Sequence, residues 1–296
     1  MEDLVSVIIT TYKRTPDIVR RAAQSVLSQT YKNIELIIID DSPETYELRS
    51  KVRDMALSLG EKVKYIQHKE NVGACAARNT GIKNAGGEYI AFLDDDDEWL
   101  PEKITIQKSK IEGADVAMVY CGNYICKSDG TKYIYRRVYK KEKIYNSLIF
   151  DNYIGSTSFP LIKKSVLDKL GGFDEQMPAA QDYELWLRIA KEYKIDYVEE
   201  PLVNYYIHDG EQITKNHKIK VEAWERLNEI NMDYLKKHPR AYSKKIALIV
   251  ALQAEFDIKE AKKNFWKAAM LWPLPTKDLI RAFKWTYIMP LLQTKR

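Results

Sequence analysis

Four consecutive aspartates, Asp94 to Asp97, directly follow the apolar run Tyr89–Leu93. Carboxylates this close repel one another, so at least one pKa is expected to rise unless a cation neutralises them. Such hard oxygen ligands suit Mg²⁺, Mn²⁺ or Ca²⁺. A charge run is usually a solvated turn, but the apolar strand before this one and Trp99 after it favour a ligand site. The run therefore predicts a divalent cation and, with it, a phosphate-bearing ligand.

Strands and helices alternate around this run. Apolar runs at 4–9 and 34–39 predict buried parallel strands, and further strands are predicted at 63–67 and 89–93. Helices are predicted after Thr15 and over 47–59 and 73–84. This alternation indicates an α/β doubly wound half-domain, in which ligands bind at the carboxyl ends of the strands, where the acidic run stands.

The rest of the chain changes character twice. Up to about residue 210 the pattern is mixed, with strands predicted at 117–121, 133–139, 197–198 and 202–206 and helices at 165–170 and 182–193. From Lys215 the pattern is wholly helical, with helices predicted at about 218–237, 242–254, 258–271 and 276–287.

Charge is unevenly distributed along the 296 residues. The whole chain carries a net charge of +5, but from Lys215 onward 18 Lys and Arg face 8 Asp and Glu, so that part carries +10 and the remainder −5. Four tryptophans among these lysines suit a membrane interface, whereas a helical bundle packed on protein, including a second copy, is the alternative. Nucleic acid is not expected as a partner.

Cysteine usage and hydropathy suggest the compartment. The three cysteines, Cys75, Cys121 and Cys126, are an odd number that suits a reducing cytosol better than a disulfide framework. We see neither a signal-peptide pattern nor an apolar run of membrane-spanning length. A cytoplasmic location is expected, with peripheral attachment to the inner membrane face as one option.

The loop after the first strand excludes two phosphate-binding classes. Its sequence, from Thr10 to Arg14, contains neither Gly-x-Gly-x-x-Gly nor a Gly-Lys-Ser/Thr motif. This argues against a nicotinamide dehydrogenase and against a P-loop enzyme. A phosphate would instead be held by metal and cationic side chains.

Five segments follow one another within residues 4–210: Val5–Tyr12, Leu36–Asp41, the N-x-G and A-R-N-x-G motifs of Asn71–Gly81, Tyr89–Asp97, and Gly171–Glu175 with Gln181–Trp186. In this order they resemble the family 2 glycosyltransferases of the GT-A fold. The resemblance implies a doubly wound, mostly parallel sheet, to which the helical pattern from Lys215 onward adds a C-terminal helical appendage. It also implies an inverting, metal-dependent hexosyltransferase of bacterial-type cell-surface glycan biosynthesis, which moves sugar from a UDP-sugar to a hydroxyl of a glycan or lipid-linked acceptor.

The resemblance also implies a domain division. Residues 1–214 would form the catalytic domain, with a nucleotide half of about 1–100 and an acceptor half of about 101–214. Residues 215–296 would form the basic helical region. The polymerising relatives carry a Gln-x-x-Arg-Trp motif that is missing here, so a single sugar addition is favoured.

Four residues match the family's nucleotide-binding positions. Asp41 would accept a hydrogen bond from uracil N3–H, which cytosine lacks, because an ionised carboxylate only accepts. Thr10 and Tyr12 would contact the nucleotide, with Tyr12 stacking on the base. Arg78 would reach the nucleotide or the first aspartate of the metal motif, and Asp40 would face the sheet or cap a turn.

The metal site is implied by the D-x-D motif. Asp96 matches the direct ligand of Mn²⁺ or Mg²⁺, whereas Asp94 or Asp95 would contact the ribose, or the metal through water. His208 matches a residue that completes the metal or diphosphate site. Asp97 would serve the acceptor or cap the helix that follows Pro101.

Asp182 matches the family's catalytic base, which takes the proton of the acceptor hydroxyl. The alternative is a purely structural role, in which Asp182 is the N-cap of the following helix. The preceding residue is Gln181, where the family often has Glu. A sugar nucleotidyltransferase, or a non-catalytic protein that binds carbohydrate or nucleic acid, are the competing interpretations of the whole chain.

Overall fold

The structure is a computed structural model that describes residues 2–135, 137–207 and 216–289. The chain divides into two compact units. The first comprises Met1–Leu148, Asn152–Glu175 and Asp182–Asp209, and the second comprises Ile149–Asp151, Gln176–Gln181 and Gly210–Arg296.

The first unit contains nine strands and seven helices within its described residues. In chain order they are β1 (Val5–Thr11), α1 (Pro16–Leu27), β2 (Ile34–Asp40), α2 (Arg49–Leu57), β3 (Val63–Gln67), α3 (Ala74–Asn84), β4 (Tyr89–Asp94), β5 (Glu98–Trp99), α4 (Lys103–Ile111), β6 (Met118–Lys127), β7 (Lys132–Ile134), α5 (Tyr145–Leu148), β8 (Leu161–Lys163), α6 (Lys164–Leu170), α7 (Gln181–Glu192) and β9 (Ile195–Ile207).

One mixed sheet organises the unit, in the order β3-β2-β1-β4-β8-β6-β9-β5, with β7 paired to β6. The four strands β3, β2, β1 and β4 are mutually parallel, as predicted, and β8 runs antiparallel to β4. The aliphatic residues of β1, β2 and β4 are buried, as continuous apolar strands covered on both faces must be.

Helix α3 lies unusually close to β1. A Cβ atom on Gly81 would stand 2.4 Å from Ile8 Cγ2, so only glycine permits this approach. The close approach matters because α3 also carries Arg78.

Three predicted strands of the mixed region are wrong in extent. The strand predicted at 133–139 is limited to β7, because the guanidinium of Arg137 turns inward to Asn123 Oδ1 and to the carbonyl of Ile154. The two strands predicted at 197–198 and 202–206 are one strand, β9. The register shifts on either side of Gly122, where a Cβ would meet the carbonyl of Glu199 at 2.6 Å, accommodate the irregularity between them.

The second unit is helical in its described residues: α8 (His217–Ile230), α9 (Met232–Lys237), α10 (Pro239–Gln253), α11 (Ile258–Leu271), α12 (Lys277–Phe283) and a π-helical turn (Lys284–Ile288). The single helix predicted at 218–237 is wrong. Asn231 divides it, because both its backbone N–H and its side-chain Nδ2 donate to the Leu227 carbonyl.

Aliphatic and aromatic side chains of α10, α11 and α12 form a separate small core, which includes Val250, Phe265 and Leu279. Among the helices of the described residues, none combines the length and the apolar character that crossing a membrane requires.

Candidate active site

The carboxyl ends of three adjacent parallel strands meet at one edge of the sheet. Thr10 of β1 is paired with Asp94 of β4, and Thr11 is paired with Asp40 of β2. The topology therefore brings together Thr10, Asp94 and Asp41, which are separated by up to 84 positions in the sequence.

Asp94 is held by three side chains. Its Oδ1 accepts hydrogen bonds from Arg78 Nη2 at 3.0 Å and from Thr157 Oγ1 at 2.9 Å, and its Oδ2 accepts one from Ser156 Oγ at 2.9 Å. The contact with Arg78 is one of the two that the sequence predicted for this arginine, the other being a contact with the nucleotide. Asp94 is thus fixed in orientation and partly neutralised.

Asp95 and Asp96 share a single guanidinium. Arg14 Nε donates to Asp95 Oδ1 and Arg14 Nη2 donates to Asp96 Oδ2, each at 3.0 Å. Burial raises the pKa of Asp95 to about 6, against the lowering by Arg14, and the negative charge of Asp96 adds to the rise. Asp96 keeps 26% of its side chain exposed and is the more accessible of the two.

Asp97 has a structural role instead of the predicted one. Its carboxylate is buried and accepts from Ser158 Oγ at 2.7 Å and from the Tyr206 backbone N–H at 3.1 Å. Helix α4 begins at Lys103 with Glu102 as its N-cap, so Asp97 does not cap it. Burial and the neighbouring charge of Asp94 raise the pKa of Asp97 well above its usual value.

The acidic run therefore resolves its repulsion in both of the expected ways. Two of its carboxyl groups have raised pKa values, Asp95 and Asp97. Arg78 pairs with Asp94, and Arg14 pairs with both Asp95 and Asp96.

Asp41 lies buried under the loop that precedes α3. Its Oδ1 accepts from the Val72 N–H at 3.0 Å and faces His68 Nδ1 at 2.8 Å, and its Oδ2 accepts from the Gly73 N–H at 2.9 Å. A carboxylate offers about four lone-pair sites, so three are used within the protein and one remains on Oδ2. Asp40 accepts from the Ser42 N–H at 2.9 Å, which agrees with the turn cap, one of the two roles predicted for it.

The loop after β1 presents Tyr12 beside these groups. Its side chain is 43% exposed, and Lys13 Nζ lies 5.2 Å from the ring centroid. Lys13 has a φ of 51°, a conformation that non-glycine residues rarely adopt, and its N–H donates to Ser42 Oγ at 2.8 Å. The loop is thereby fixed with an aromatic face free to stack.

Asp182 is the second residue of α7, so it is not the N-cap of this helix, which was the purely structural alternative. The residue is partly exposed, and its Oδ1 accepts from the Tyr183 N–H at 2.7 Å. Burial raises its pKa to about 6; the Tyr183 N–H and Arg78 lower it, and Asp94 raises it. An ionised carboxylate of this basicity is suited to remove a proton near neutral pH.

Neighbouring residues of the same motif hold α7 in place. Glu184 is buried and forms an ion pair with Arg188 at 2.6 Å. Arg188 Nη2 also donates to the Gly172 carbonyl at 2.7 Å, and Trp186 Nε1 donates to the Gly155 carbonyl at 2.9 Å. The helix that carries Asp182 is thus held by hydrogen bonds to two loops, one at Gly155 and one at Gly172.

Asn79 joins two motifs that are 94 positions apart. Its Oδ1 accepts from the Phe173 N–H at 2.8 Å, and its Nδ2 donates to the Phe173 carbonyl and to Glu175 Oε1, each at 2.9 Å. The A-R-N-x-G segment is therefore hydrogen-bonded directly to the G-G-F-D-E segment through Asn79, while the neighbouring Arg78 donates to Asp94.

A divalent cation fits this edge of the sheet only if the protein supplies some of its ligands and a bound substrate supplies the others. In the described part of the chain, no three His, Cys, Asp or Glu side chains are placed to ligate one ion. Mg²⁺-type sites commonly use one or two carboxylates together with substrate phosphates, and the accessible oxygens of Asp96 fit that arrangement. The prediction for His208 lies outside the described residues.

Sequence reasoning missed Arg14, His68 and the segment Ser156–Ser158. The first two carried a signal, because Arg14 follows β1 and His68 follows β3, both at the ligand-binding edge of a parallel sheet. No pattern marked Ser156–Ser158, which reaches Asp94 and Asp97 only through the tertiary fold.

The order of the strands, with acidic residues at the carboxyl edge of the parallel ones, is that of the GT-A fold. The model of the family described as "Glycosyl transferase family 2" matches residues 6–171, and the chain belongs to this family. Of the three interpretations of the sequence, the glycosyltransferase is confirmed.

Two relatives illustrate the similarity. The chain is 34% identical over 225 residues to the putative colanic acid biosynthesis glycosyl transferase WcaA of Escherichia coli strain K12, covering 73% of this chain and 77% of WcaA. It is 35% identical over 191 residues to the UDP-Glc:alpha-D-GlcNAc-diphosphoundecaprenol beta-1,3-glucosyltransferase WfaP of Escherichia coli, covering 63% and 70% of the two chains.

Two solved structures share the fold. TarS 1–349 of S. aureus in complex with UDP-GlcNAc superposes with a TM-score of 0.63 at 15% identity, covering 94% of this chain and 81% of TarS. The mannosyltransferase PcManGT of Pyrobaculum calidifontis in complex with GDP-Man and Mn²⁺ superposes with a TM-score of 0.61 at 18% identity, covering 98% and 88%.

Proposed function

We propose that this chain transfers a sugar from a UDP-sugar to a hydroxyl of a glycan or lipid-linked acceptor, with inversion at the anomeric carbon and with the help of Mn²⁺ or Mg²⁺. The observation that carries the proposal is Asp182, a partly exposed residue whose carboxyl group has a pKa of about 6, beside the Arg78–Asp94 pair at the carboxyl edge of the sheet. Residues 1–214 would form the catalytic domain.

The uridine preference rests on Asp41 and its loop. One lone pair of Asp41 Oδ2 remains for a donor such as uracil N3–H, and cytosine has no such donor. His68, Val72 and Gly73 fix the orientation of the carboxylate, so its acceptor direction is preset. Thr10 and Tyr12 would contact the nucleotide from the loop of β1. The relative WfaP, whose name specifies UDP-Glc, supports the same donor class.

Asp96 would hold the divalent cation, with Asp94 and Asp95 oriented behind it. When bound, the ion supplies Lewis-acid neutralisation of the leaving diphosphate. Arg14 lies against both Asp95 and Asp96, so its guanidinium must give up part of that contact when Asp96 takes a metal. Arg14 is then free to turn toward the phosphates.

The proposed reaction is a single in-line displacement. The acceptor oxygen forms a bond to the anomeric carbon while the bond from that carbon to the diphosphate oxygen breaks, and UDP leaves with the bonding pair. Asp182 takes the proton of the attacking hydroxyl. Because α7 is anchored through Glu184 and Trp186, the base can keep its position as the acceptor varies.

The setting would be the cytoplasm, at the face of a membrane where lipid-linked acceptors are presented. The free state of Cys75, Cys121 and Cys126, all buried, suits a reducing compartment. The name of the relative WfaP specifies a diphosphoundecaprenol acceptor, which is consistent with a lipid-linked substrate here.

A thermal-shift experiment tests nucleotide and metal together. We expect UDP to raise the melting temperature in Mn²⁺ and to have little effect in excess chelator, because the acidic run repels a bare diphosphate. CDP should stabilise much less than UDP in Mn²⁺. Asp96→Ala should lose the metal-dependent part, whereas Asp168→Ala, at an exposed helix position, should behave as wild type. Equal stabilisation by UDP with and without metal contradicts the metal proposal, and equal stabilisation by CDP contradicts the uridine proposal.

A further inference from the structure

Large apolar side chains are exposed on the last described helices of the second unit. Trp266 and Met270, one turn apart on α11, are 59% and 77% exposed, and Ile280 and Phe283 on α12 are 58% and 45% exposed. Single exposed apolar residues are ordinary on soluble proteins, whereas a group of them marks an interaction site.

Ring contacts show that the two helices present one surface. Phe265 is buried, and its ring lies 5.6 Å from that of Trp266, 5.7 Å from that of Phe283 and 5.4 Å from that of Tyr287. Trp266 and Phe283 therefore flank the same buried ring. We call the surface formed by Trp266, Met270, Ile280 and Phe283 the α11–α12 face.

The same helices are strongly basic. Between Ile258 and Met289 there are seven Lys and Arg but only two acidic residues. Both acids are engaged by lysines, Glu260 by Lys263 at 3.1 Å and Asp278 by Lys244 at 3.7 Å.

Several cations of these helices keep their charge uncompensated. Lys262, Lys267, Lys277, Arg281 and Lys284 are exposed, and none has a carboxylate partner among the described residues. Lys262 Nζ lies 5.7 Å from the Tyr287 ring and Lys267 Nζ lies 5.4 Å from the Tyr242 ring of α10, so both ammonium groups lie beside aromatic rings that pack against the small helical core. Apolar and cationic side chains are thus interleaved on one helical surface.

This combination fits an anionic lipid surface better than a second copy of the chain. Tryptophan, phenylalanine and aliphatic side chains insert at the headgroup boundary, while lysines keep their charges among anionic headgroups. In a two-fold symmetric dimer the same basic surface would face itself, and like charges would oppose association. The positive charge of the α11–α12 face therefore favours an anionic lipid surface over a second copy of the chain.

We propose that the α11–α12 face docks on an anionic lipid surface. The inference deepens the proposed function, since it names the surface through which the enzyme would meet a lipid-linked acceptor. It rests on that function only for the identity of the acceptor, because docking itself requires neither donor nor metal. The second unit would hold the protein at the membrane without a spanning helix.

Vesicle co-sedimentation of the full chain tests the proposal. Wild type should bind vesicles of equimolar phosphatidylcholine and phosphatidylglycerol and should bind vesicles of phosphatidylcholine alone far more weakly. Lys262→Gln with Lys267→Gln should weaken binding to the mixed vesicles roughly thirtyfold, since each lysine near an anionic surface contributes about a fivefold factor. Trp266→Ser with Met270→Ser should weaken binding to both vesicle types by about tenfold or more.

A control variant and a second measurement keep the outcomes distinct. Ile230→Ser removes a side chain of comparable exposure at the end of α8, outside the face, and should leave binding unchanged. Circular dichroism confirms the fold of each variant. Equal binding of wild type to both vesicle types, or retained binding of the Trp266→Ser and Met270→Ser variant, overturns the proposal. So does a dimer in sedimentation velocity that this variant abolishes, because the face would then bind a second copy. UDP release in vesicle-free solution reports separately on the proposed function.

Discussion

At the scale of single residues, the central feature is a carboxylate that is made basic by its surroundings. Asp182 has a pKa of about 6 because burial disfavours its charge and Asp94 adds repulsion, while Arg78 only partly compensates. A carboxylate with its ordinary pKa near 4 would hold an abstracted proton too weakly. The network around Arg78 thus prepares both the nucleotide edge and the base.

Asp182→Asn should reduce turnover by about 10²–10⁴-fold while the affinity for UDP changes little, because the base acts only on the acceptor proton. The variant should also be more stable at pH 7. A folded pKa above the unfolded value of about 3.9 means that stability is lost as pH rises from about 4 through 6, and the neutral amide avoids this cost of up to about 3 kcal/mol. Asp168→Asn, at an exposed position, is the control. Turnover within a few-fold of wild type would require another base.

The pH dependence of turnover follows from the same pKa. The base must be ionised, so kcat should rise with pH through about 6 and then level off. Asp95 also has a pKa of about 6, so the profile of Asp95→Asn must be compared with that of wild type. If the acid limb disappears in Asp95→Asn but the rest of the activity stays, the limb does not report Asp182.

Arg14→Gln should have opposite effects on metal and on nucleotide. In the absence of nucleotide, Mn²⁺ should bind several-fold more tightly, because a cation that lies against Asp95 and Asp96 has been removed. UDP should bind more weakly when Mn²⁺ is saturating, since a cation near the diphosphate is lost. Isothermal titration calorimetry measures both, and Arg53→Gln, at an exposed position of α2, is the matched control. Unchanged Mn²⁺ affinity would show that Arg14 does not compete for the carboxylates.

Whether a residue of the site could be predicted from the sequence depends on whether it belongs to a recognisable motif. Asp94 and Arg78 belong to motifs, and their contact was predicted. Arg14 and His68 lie at ends of strands but outside any motif we recognised, so the ion pair and the hydrogen bond that they make with aspartates were missed. Asp97 looked like its three acidic neighbours, and only burial beneath Ser158 distinguishes it as structural.

At the scale of elements, β1, β2 and β4 were predictable because each is a nearly continuous apolar run that both faces of the sheet bury, whereas β3 mixes polar with apolar residues and is only partly buried. The strands of the mixed region were not, since β9 contains Glu199-Glu200-Pro201 and its pattern is interrupted at the register shift of its parallel pairing with β6. The helix break at Asn231 was missed for a similar reason: one side chain that bonds to the backbone outweighs a continuous apolar stripe.

Asn79→Ala tests the connection between α3 and the loop before α7. The substitution removes three hydrogen bonds and leaves the Phe173 N–H and carbonyl without this partner, so the free energy of unfolding should fall by about 2–3 kcal/mol. Asn84→Ala, near the exposed end of the same helix, should cost much less. Urea denaturation measures both. Equal destabilisation of the two variants would mean that the bonds of Asn79 have no special weight.

At the scale of the whole molecule, chemistry and charge are divided between the two units. The first unit contains the sheet and the acidic edge, and the second contains the basic helices with the α11–α12 face. The change in composition at Lys215 predicted a boundary, but it did not reveal that Ile149–Asp151 and Gln176–Gln181 join the second unit, because such short segments carry no compositional signal.

The most direct test of the account is the initial rate of nucleotide release from a panel of UDP-, GDP- and CDP-sugars, measured for wild type and Asp182→Asn with Mn²⁺ and with excess chelator. Water can serve as a slow acceptor, so the assay does not require the natural one. We predict release of UDP from at least one UDP-sugar, dependent on Mn²⁺ and reduced at least a hundredfold in Asp182→Asn. Equal release by wild type and Asp182→Asn, or release confined to GDP- or CDP-sugars, would contradict the account.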